Sequence, residues 1–335
     1  MPVAMKMATR RLDQLQHQMA CHRSAADSGD RTLLLFDSSA GKLKVVRSSA
    51  HGQVETLWQH PAQNCHDFHL LPSGNILCLT SWTSIVEVTR TNETVWKYDA
   101  ATANGNDTFG KVEVHGIQRL PNGHTMITEA GRKRIIEVDI DGVIHKEISL
   151  VCNGGPHGDT RNARKLEGGG YLVAHEKERT VREYSAEGVV VWEYEVDVEP
   201  NPAAPRGQPK YHGPVGHGPE SNGANIYCAL RLRNGNTLIG TGNGHRVIEV
   251  SPQKEIVWSV GQYELPNIQL SWVATLTERP NGNIVISNCF AGPHPAGGLH
   301  AGLIELRRDT KEVRCYVLTT LLRWPACDTC CRRVH

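Results

Sequence analysis

The feature that most constrains this chain is a repeat, because a period of 40 to 50 residues marks units that cannot bury their faces alone. Five segments share one pattern: HDFHLLPSGNILCLTSWTSIVEVTRTNETVWKYD from His66, HGIQRLPNGHTMITEAGRKRIIEVDIDGVIHKEI from His115, RNARKLEGGGYLVAHEKERTVREYSAEGVVVWEYEV from Arg161, YCALRLRNGNTLIGTGNGHRVIEVSPQKEIVWSV from Tyr227, and a fifth from Ala274. A degenerate sixth copy precedes them from Arg31. The turn glycines Gly74, Gly123, Gly169, Gly235 and Gly282 are spaced by 49, 46, 66 and 47 residues, so one interval carries an insertion.

Each unit reads as four antiparallel strands. The first ends in a turn of Asn-Gly type, which tolerates the positive φ of a tight hairpin. A β-branched second strand and a third of V-I-E-V type follow, the latter alternating with a period of two. The fourth carries Trp58, Trp96, Trp192 or Trp258, a ring placed to cover the edge of one unit against the next. The expectation is an all-β, six-bladed β-propeller of four-stranded antiparallel blades, with a long insertion between the fourth and fifth units. Residues 1–29 are expected to be poorly ordered, 30–324 to form one propeller domain with its insertion at about 197–223, and 325–335 to be an irregular Cys-rich tail. The first unit lacks its innermost strand, and the segment Val317 to Trp324 is the candidate to supply it.

The charges nearly cancel, 36 basic against 35 acidic, and no Lys/Arg block is dense enough to track phosphates, so nucleic acid is not an expected partner. No apolar run approaches membrane-spanning length, and residues 1–29 lack a signal-peptide core, so a soluble monomer is expected. Cys78, Cys228 and Cys289 fall in strand-like segments as small buried hydrophobes. Cys327, Cys330 and Cys331 have a CxxC spacing without the second ligand pair that a zinc knuckle requires.

The segments TGNGHRVIEV, YELPNIQLSWVATL and PNGNIVISNCFAGP, with the repeated turn and V-I-E-V patterns, resemble the bacterial PQQ-like and arylsulfotransferase-type β-propeller repeat proteins, particularly small members of unassigned function. The resemblance runs from about Arg31 to Val317. It implies the propeller fold, and for the arylsulfotransferase type a channel histidine that accepts a sulfuryl group. It also implies that similar bacterial propellers are often exported. PQQ enzymes of this type carry a vicinal cysteine pair beside the quinone. The only such pair here is Cys330 and Cys331 in the tail, so PQQ is not expected.

Aligning the units by their turns places candidate chemistry on one face of the ring. The first strands begin at His66, His115, Arg161 and Tyr227, and the second strands end at Thr80, Glu129, His175, Thr241 and Asn288. A hairpin brings these two sets side by side at the channel mouth, where propellers bind ligands on loops that converge from every blade. The following loops add Asn243, His245 and His294, and the insertion ends in YHGPVGHGPESNG, which would bring His217 and Glu220 over the mouth as a lid. His115, His175, Arg161 and Tyr227 are the expected catalytic set. His66, Glu129, Asn243, Asn288 and His294 are expected to bind substrate, and His217, Glu220 and His245 to hold a divalent metal, Zn, Mn or Ca. Each has a plainer reading as a hydrogen-bonded structural residue, and Glu129 has one as the salt-bridge partner of Arg132 or Lys133. The expected function is that of a lyase or hydrolase acting on a carbohydrate or other polar small molecule, with sulfuryl transfer and a non-catalytic binding platform as the alternatives.

Overall fold

The computed structural model describes residues 31–38, 40–48, 54–199, 221, 223–289, 301–318 and 331–333. The repeat pattern becomes six four-stranded antiparallel sheets arranged in a ring, a six-bladed β-propeller. From the axis outward, blade 2 consists of β4 (Phe68–Leu70), β5 (Ile76–Leu79), β6 (Ser84–Val88) and β7 (Thr94–Asp99). Blade 3 consists of β8 (Glu113–Arg119), β9 (Thr125–Ala130), β10 (Arg134–Val138) and β11 (Ile144–Ser149). Blade 4 is β12 (Asn162–Lys165) to β15 (Val190–Glu195), blade 5 is β16 (Cys228–Arg231) to β19 (Ile256–Val260), and blade 6 is β20 (Trp272–Glu278) to β23 (Glu312–Leu318).

Each first hairpin turns where the sequence placed it. Gly74, Gly123, Gly169, Gly235 and Gly282 all have φ between +80° and +87°. This backbone region is open to glycine without a Cβ clash, so the turn fixes the strand register of its blade.

The apolar core lies between blades rather than within them. One buried cluster joins blades 1 to 3 through residues such as Leu34, Phe68, Ile85 and Ile127, and another joins blades 5 and 6 through Leu238, Val273 and Ile304. The fourth-strand indoles seal the outer rim: Trp96 Nε1 donates to Ile140 O at 2.9 Å, Trp192 Nε1 to Pro252 O at 3.0 Å and Trp258 Nε1 to Arg308 O at 2.8 Å. Each acceptor lies in the turn between the third and fourth strands of the next blade, so the tryptophans serve packing, as the sequence suggested. At the equivalent joint Trp58 receives the Arg90 guanidinium over its ring instead. The V-I-E-V glutamates make a second joint. Glu87 pairs with Arg119 at 2.8 Å, Glu137 with Lys165 at 2.5 Å, and Glu183 with Arg231, in each case with the last residue of the next blade's first strand.

Near the axis, the buried carboxylate of Asp67 ties three blades together. Arg164 of β12 forks onto its two oxygens at 2.7 and 2.9 Å, and Ile117 N of β8 donates to it at 3.0 Å. Burial alone would raise this carboxyl, but Arg164 and His69 outweigh it and hold the group below the usual carboxylate range.

Blade 1 is made of β1 (Arg31–Asp37), β2 (Lys42–Ser48) and β3 (Val54–Pro61), and its innermost strand is β24 (Cys331–Arg333), which pairs antiparallel with β1 from Leu33↔Arg333 to Leu35↔Cys331. The ring thus closes through the chain's far terminus as expected, but through a segment assigned to the irregular tail rather than through 317–324. Val317 and Leu318 are already committed to β23, the outer strand of blade 6. Cys78, Cys228 and Cys289 are buried free thiols, as expected of strand cysteines. Among the described residues no helix is long and apolar enough to cross a membrane.

Ending the chain at Leu318 removes β24 and leaves β1 as an unpaired inner edge. The expected result is a folded protein whose thermal midpoint is lower by on the order of 5 °C, followed by near-ultraviolet circular dichroism. An unchanged midpoint would show that the closing strand contributes nothing to the ring.

Candidate functional site

At one mouth of the ring, the start of β8 and the loops on either side of β12 bring together a compact polar cluster. β8 carries a bulge between Val114 and Gly116, so His115 is the extra residue on the strand and stands out of the regular ladder with Glu113 two positions before it. His115 is fully buried. Its Nδ1 lies 2.6 Å from Thr160 O, which can only accept, so Nδ1 carries the proton and the neutral ring presents a lone pair at Nε2. That lone pair faces Glu113 Oε2 at 3.1 Å. His157, from the Gly-rich loop before β12, is half-exposed; its Nδ1 lies 2.7 Å from the same Oε2.

Arg161 lies beside the cluster and is itself buried. Its Nη2 is 2.7 Å from His157 Nε2, its Nη1 is 3.5 Å from His115 Nε2, and its guanidinium stacks over the Tyr227 ring at 4.8 Å. The Arg161 Nε donates to Glu176, which Asn225 Nδ2 reaches at 3.3 Å, and Asn225 N donates to Asn243 Oδ1 at 3.0 Å. One hydrogen-bonded chain therefore runs from blade 5 across blade 4 to Glu113 in blade 3. Trp82, from the β5–β6 loop, meets the edges of His115 and His157 at 5.9 and 5.2 Å and lies 4.7 Å from His66, whose ring is 5.0 Å from that of His115.

The charges follow from this geometry. Burial alone would raise the Glu113 carboxyl, but the hydrogen bond from His157 and the Lys111 ammonium outweigh it and hold the group well below the usual carboxylate range. Burial, and then the nearby Arg161 charge, push the His115 imidazole below its ordinary value, so its neutral form is favoured. One oxygen of Glu113, one nitrogen of His115 and one of His157 all lie within 4.8 Å of one another, a spacing suited to a single metal ion. His115 also has the hydrogen bond typical of a metal-bound imidazole, with its other ring nitrogen donating to a backbone carbonyl.

Of the residues singled out from sequence, His66, His115, Arg161 and Tyr227 meet in this cluster. The others are placed differently. His175 is fully buried away from it, with Nδ1 at 2.6 Å from Asp159 O and Nε2 at 3.0 Å from Tyr184 Oη. Glu129 is buried and pairs with Arg134 at 2.6 Å and with Asn106 at 2.9 Å, rather than with Arg132 or Lys133. Asn243 acts through Asn225, as the last link of the chain above. Asn288 accepts from Ser271 N at 2.6 Å and donates to Gln269 O and Ala301 O at 2.9 Å, which braces the backbone of blade 6. His245 has both ring nitrogens 2.6 Å from backbone carbonyls, Ser271 O and Ser221 O, so neither offers a lone pair to a metal. His217, Glu220 and His294, and with them the expected lid, lie outside the described residues.

Glu113, His157, Glu176 and Trp82 were missed. Glu113 carried a signal, the E-V-H spacing that puts two donors on one face of a strand. His157 sits in NGGPHGD, a loop without a counterpart in the other repeats, so aligning the units passes over it.

No family model matches the chain, and no curated protein matches it either. Solved structures do. A protein of unknown function from Bacteroides caccae matches with a TM-score of 0.67 at 20% identity, over 88% of this chain and 96% of that one. A streptogramin B lyase matches with a TM-score of 0.52 at 14% identity, over 89% and 85%. A catalytically inactive virginiamycin B lyase from Staphylococcus aureus, solved with quinupristin, matches with a TM-score of 0.51 at 13% identity, over 87% and 85%. At these identities the likeness defines the class, a β-propeller, and reaches no further than the fold.

His175 generates a pH prediction. Burial, against the opposing Asp159 carbonyl hydrogen bond, lowers it from 6.5 to about 4. A histidine depressed in the folded state binds its proton more readily once unfolded, so its contribution to stability is present above 6.5 and is lost as pH falls toward 4. Urea unfolding of the native protein should lose about 2 kcal/mol more than His175→Gln between pH 7 and pH 5. Parallel pH profiles for the two proteins would contradict this assignment.

Proposed function

We propose that the protein is a metal-assisted lyase or hydrolase acting on a polar small molecule, with a divalent ion held by Glu113, His115 and His157. The observation that carries this reading is the unshared electron pair of His115 Nε2 facing a carboxylate oxygen at 3.1 Å. Two lone pairs at that distance repel unless a cation lies between them. Burial and Arg161 disfavour a proton there, which leaves a metal ion as the fitting occupant. Two imidazoles and one carboxylate suit Zn²⁺ or Mn²⁺ better than Ca²⁺, which prefers an all-oxygen shell.

His157 now donates Nδ1–H to Glu113 and accepts from Arg161 at Nε2. To serve as a ligand its half-exposed ring must turn, which breaks its contact with Arg161 Nη2. A bound ion would polarise a substrate oxygen. Arg161 would then stabilise negative charge as it develops, and Glu176, Asn225 and Asn243 would hold the guanidinium in place. Trp82 supplies a ring surface beside the cluster of the kind on which a carbohydrate or other flat-faced molecule rests. The lyases among the structural neighbours support a propeller of this size as a scaffold for such chemistry, and no more than that.

The resemblance to arylsulfotransferase-type repeats supports a second reading, in which a channel-mouth histidine accepts a sulfuryl group. His157, exposed and beside a guanidinium, is the residue that geometry offers for that role. Incubation with an aryl sulfate donor followed by intact-mass measurement separates the two, because only transfer through histidine adds a covalent sulfuryl group.

The metal reading predicts about one equivalent of Zn or Mn by elemental analysis of the protein loaded with the metal and then desalted. His115→Ala and Glu113→Gln should each lower affinity for the ion at least tenfold. His175→Gln should leave it unchanged, since His175 lies outside the cluster. Native protein that retains no metal, or three variants that retain it equally, would overturn the assignment.

A further inference from the structure

Two chain segments bring ligands to the cluster, and their meeting point supports an inference that rests on the metal reading and goes beyond it. One segment is the entry to β8, which carries Glu113 and His115. The other is the loop 153–159, which carries His157. Glu113 pairs with Ala130 across the β8–β9 ladder, so Gly131 is the next residue along the facing chain. A Cβ built on Gly131 would overlap Lys111 O, two residues before Glu113. The same Cβ would fall 3.2 Å from Pro156 Cβ and 3.4 Å from Pro156 Cα, one residue before His157. The two segments thus close over the place where any other residue would put a side chain, and a φ of +84° suits glycine there as well.

The loop is fastened at the same residue. Asp159 Oδ2 accepts from Gly131 N at 3.1 Å. Gly158 N and Asp159 N both donate to Gly155 O, at 2.9 and 2.8 Å, so the residues on either side of His157 form one hydrogen-bonded turn. In blade 5, Gly242 also lies against a carbonyl at the entry to its own first strand, Asn225 O, but its further neighbour is the Trp272 ring. Packing of a glycine on the strand entry therefore recurs in the fold, whereas at Gly131 it is joined to a ligand-bearing loop.

We propose that Gly131 and Asp159 are positioning residues for the metal site. The glycine lets the two segments approach, the Asp159 carboxylate locks the loop to that point, and together they set the separation of Glu113 and His157. The His157 ring turns about its own side-chain bonds to meet a cation, so what the fold contributes to that ligand is the place of its backbone, and this clasp fixes it.

The test uses the full chain, with Zn²⁺ and Mn²⁺ in turn as probes, and measures metal affinity by titration calorimetry beside the thermal midpoint. Gly131→Ala should bind the ion about tenfold more weakly, because the methyl group wedges the two segments apart. Gly123, at the far turn of the same hairpin, has a φ of +87° and nothing within 4 Å of an added Cβ. Gly123→Ala therefore imposes the same backbone strain without the wedge, and it should lower the midpoint and leave metal affinity unchanged. Asp159→Ala should weaken the ion about tenfold. Asp159→Asn, whose amide oxygen still accepts from Gly131 N, should bind it within about threefold of the native protein. Should Gly131→Ala not fold, the two Asp159 variants decide. Equal losses in Asp159→Ala and Asp159→Asn would assign the effect to charge rather than position and overturn the inference with the metal reading intact. Native affinity in Asp159→Ala or in folded Gly131→Ala would overturn it too, as would a Gly123→Ala variant as weak as Gly131→Ala. Native protein that binds neither ion would instead remove the metal reading. Hydrogen exchange then decides the clasp alone: the Gly131 amide should exchange roughly tenfold faster in Asp159→Ala than in the native protein, and equal rates would overturn it.

Discussion

The joint between neighbouring blades is the contact on which everything else depends. A four-stranded sheet of this size cannot bury two faces by itself, and here two polar devices join neighbouring blades, both of them between blades 2 and 3 and between blades 4 and 5, and one or the other between blades 3 and 4 and between blades 5 and 6. An indole N–H reaches a turn carbonyl at the rim, and a third-strand glutamate reaches a basic residue at the end of the next inner strand. Both devices are directional, so they set the angle between blades where apolar packing alone would leave it loose. The channel mouth inherits its precision from these joints. Glu113, Arg161 and Asn225 stand on three different blades, yet they are linked by bonds of hydrogen-bond length, which a rotation of one blade against another would break.

The candidate site uses the same principle at closer quarters. Asn243, Asn225, Glu176, Arg161 and His157 form a line in which every polar group spends its hydrogen-bonding capacity on the next, and the line stops at Glu113. At that end the bonding is unresolved, because His115 and Glu113 turn acceptors toward one another in a buried space. A buried polar network that is satisfied along its length and frustrated at one point is a place where a cation is stabilised by what the protein has already arranged.

How much of this could be read in the sequence depended on whether a feature repeats. The blades were legible because Asn-Gly turns and the V-I-E-V strands recur in register. The tryptophan stripe was legible as packing because it recurs at one position of the fourth strand. The closing strand was not, because three residues, Cys331 to Arg333, have no pattern of their own and become a strand only by pairing with β1. The first-strand starts led to His115, Arg161 and Tyr227, which lie together at the channel mouth. The second-strand ends led to Glu129, His175 and Asn288, which do sit at aligned positions, but a position in a ladder does not give the partner. Arg134, Tyr184 and the backbone around Ser271 claim those side chains. His157 belongs to a single irregular loop, so no alignment of repeats could reach it.

The strand that closes blade 1 also sets an order of events. Residues 331–333 emerge from the ribosome after every other blade is complete, so β1 must wait until then with its inner edge bare. Until then the structure is an open arc, with the apolar faces of its first and last blades not yet in contact. An open β edge invites pairing with the wrong chain. The strand that finishes the ring is therefore also the step that ends the period in which a nascent chain is most exposed to association with its neighbours.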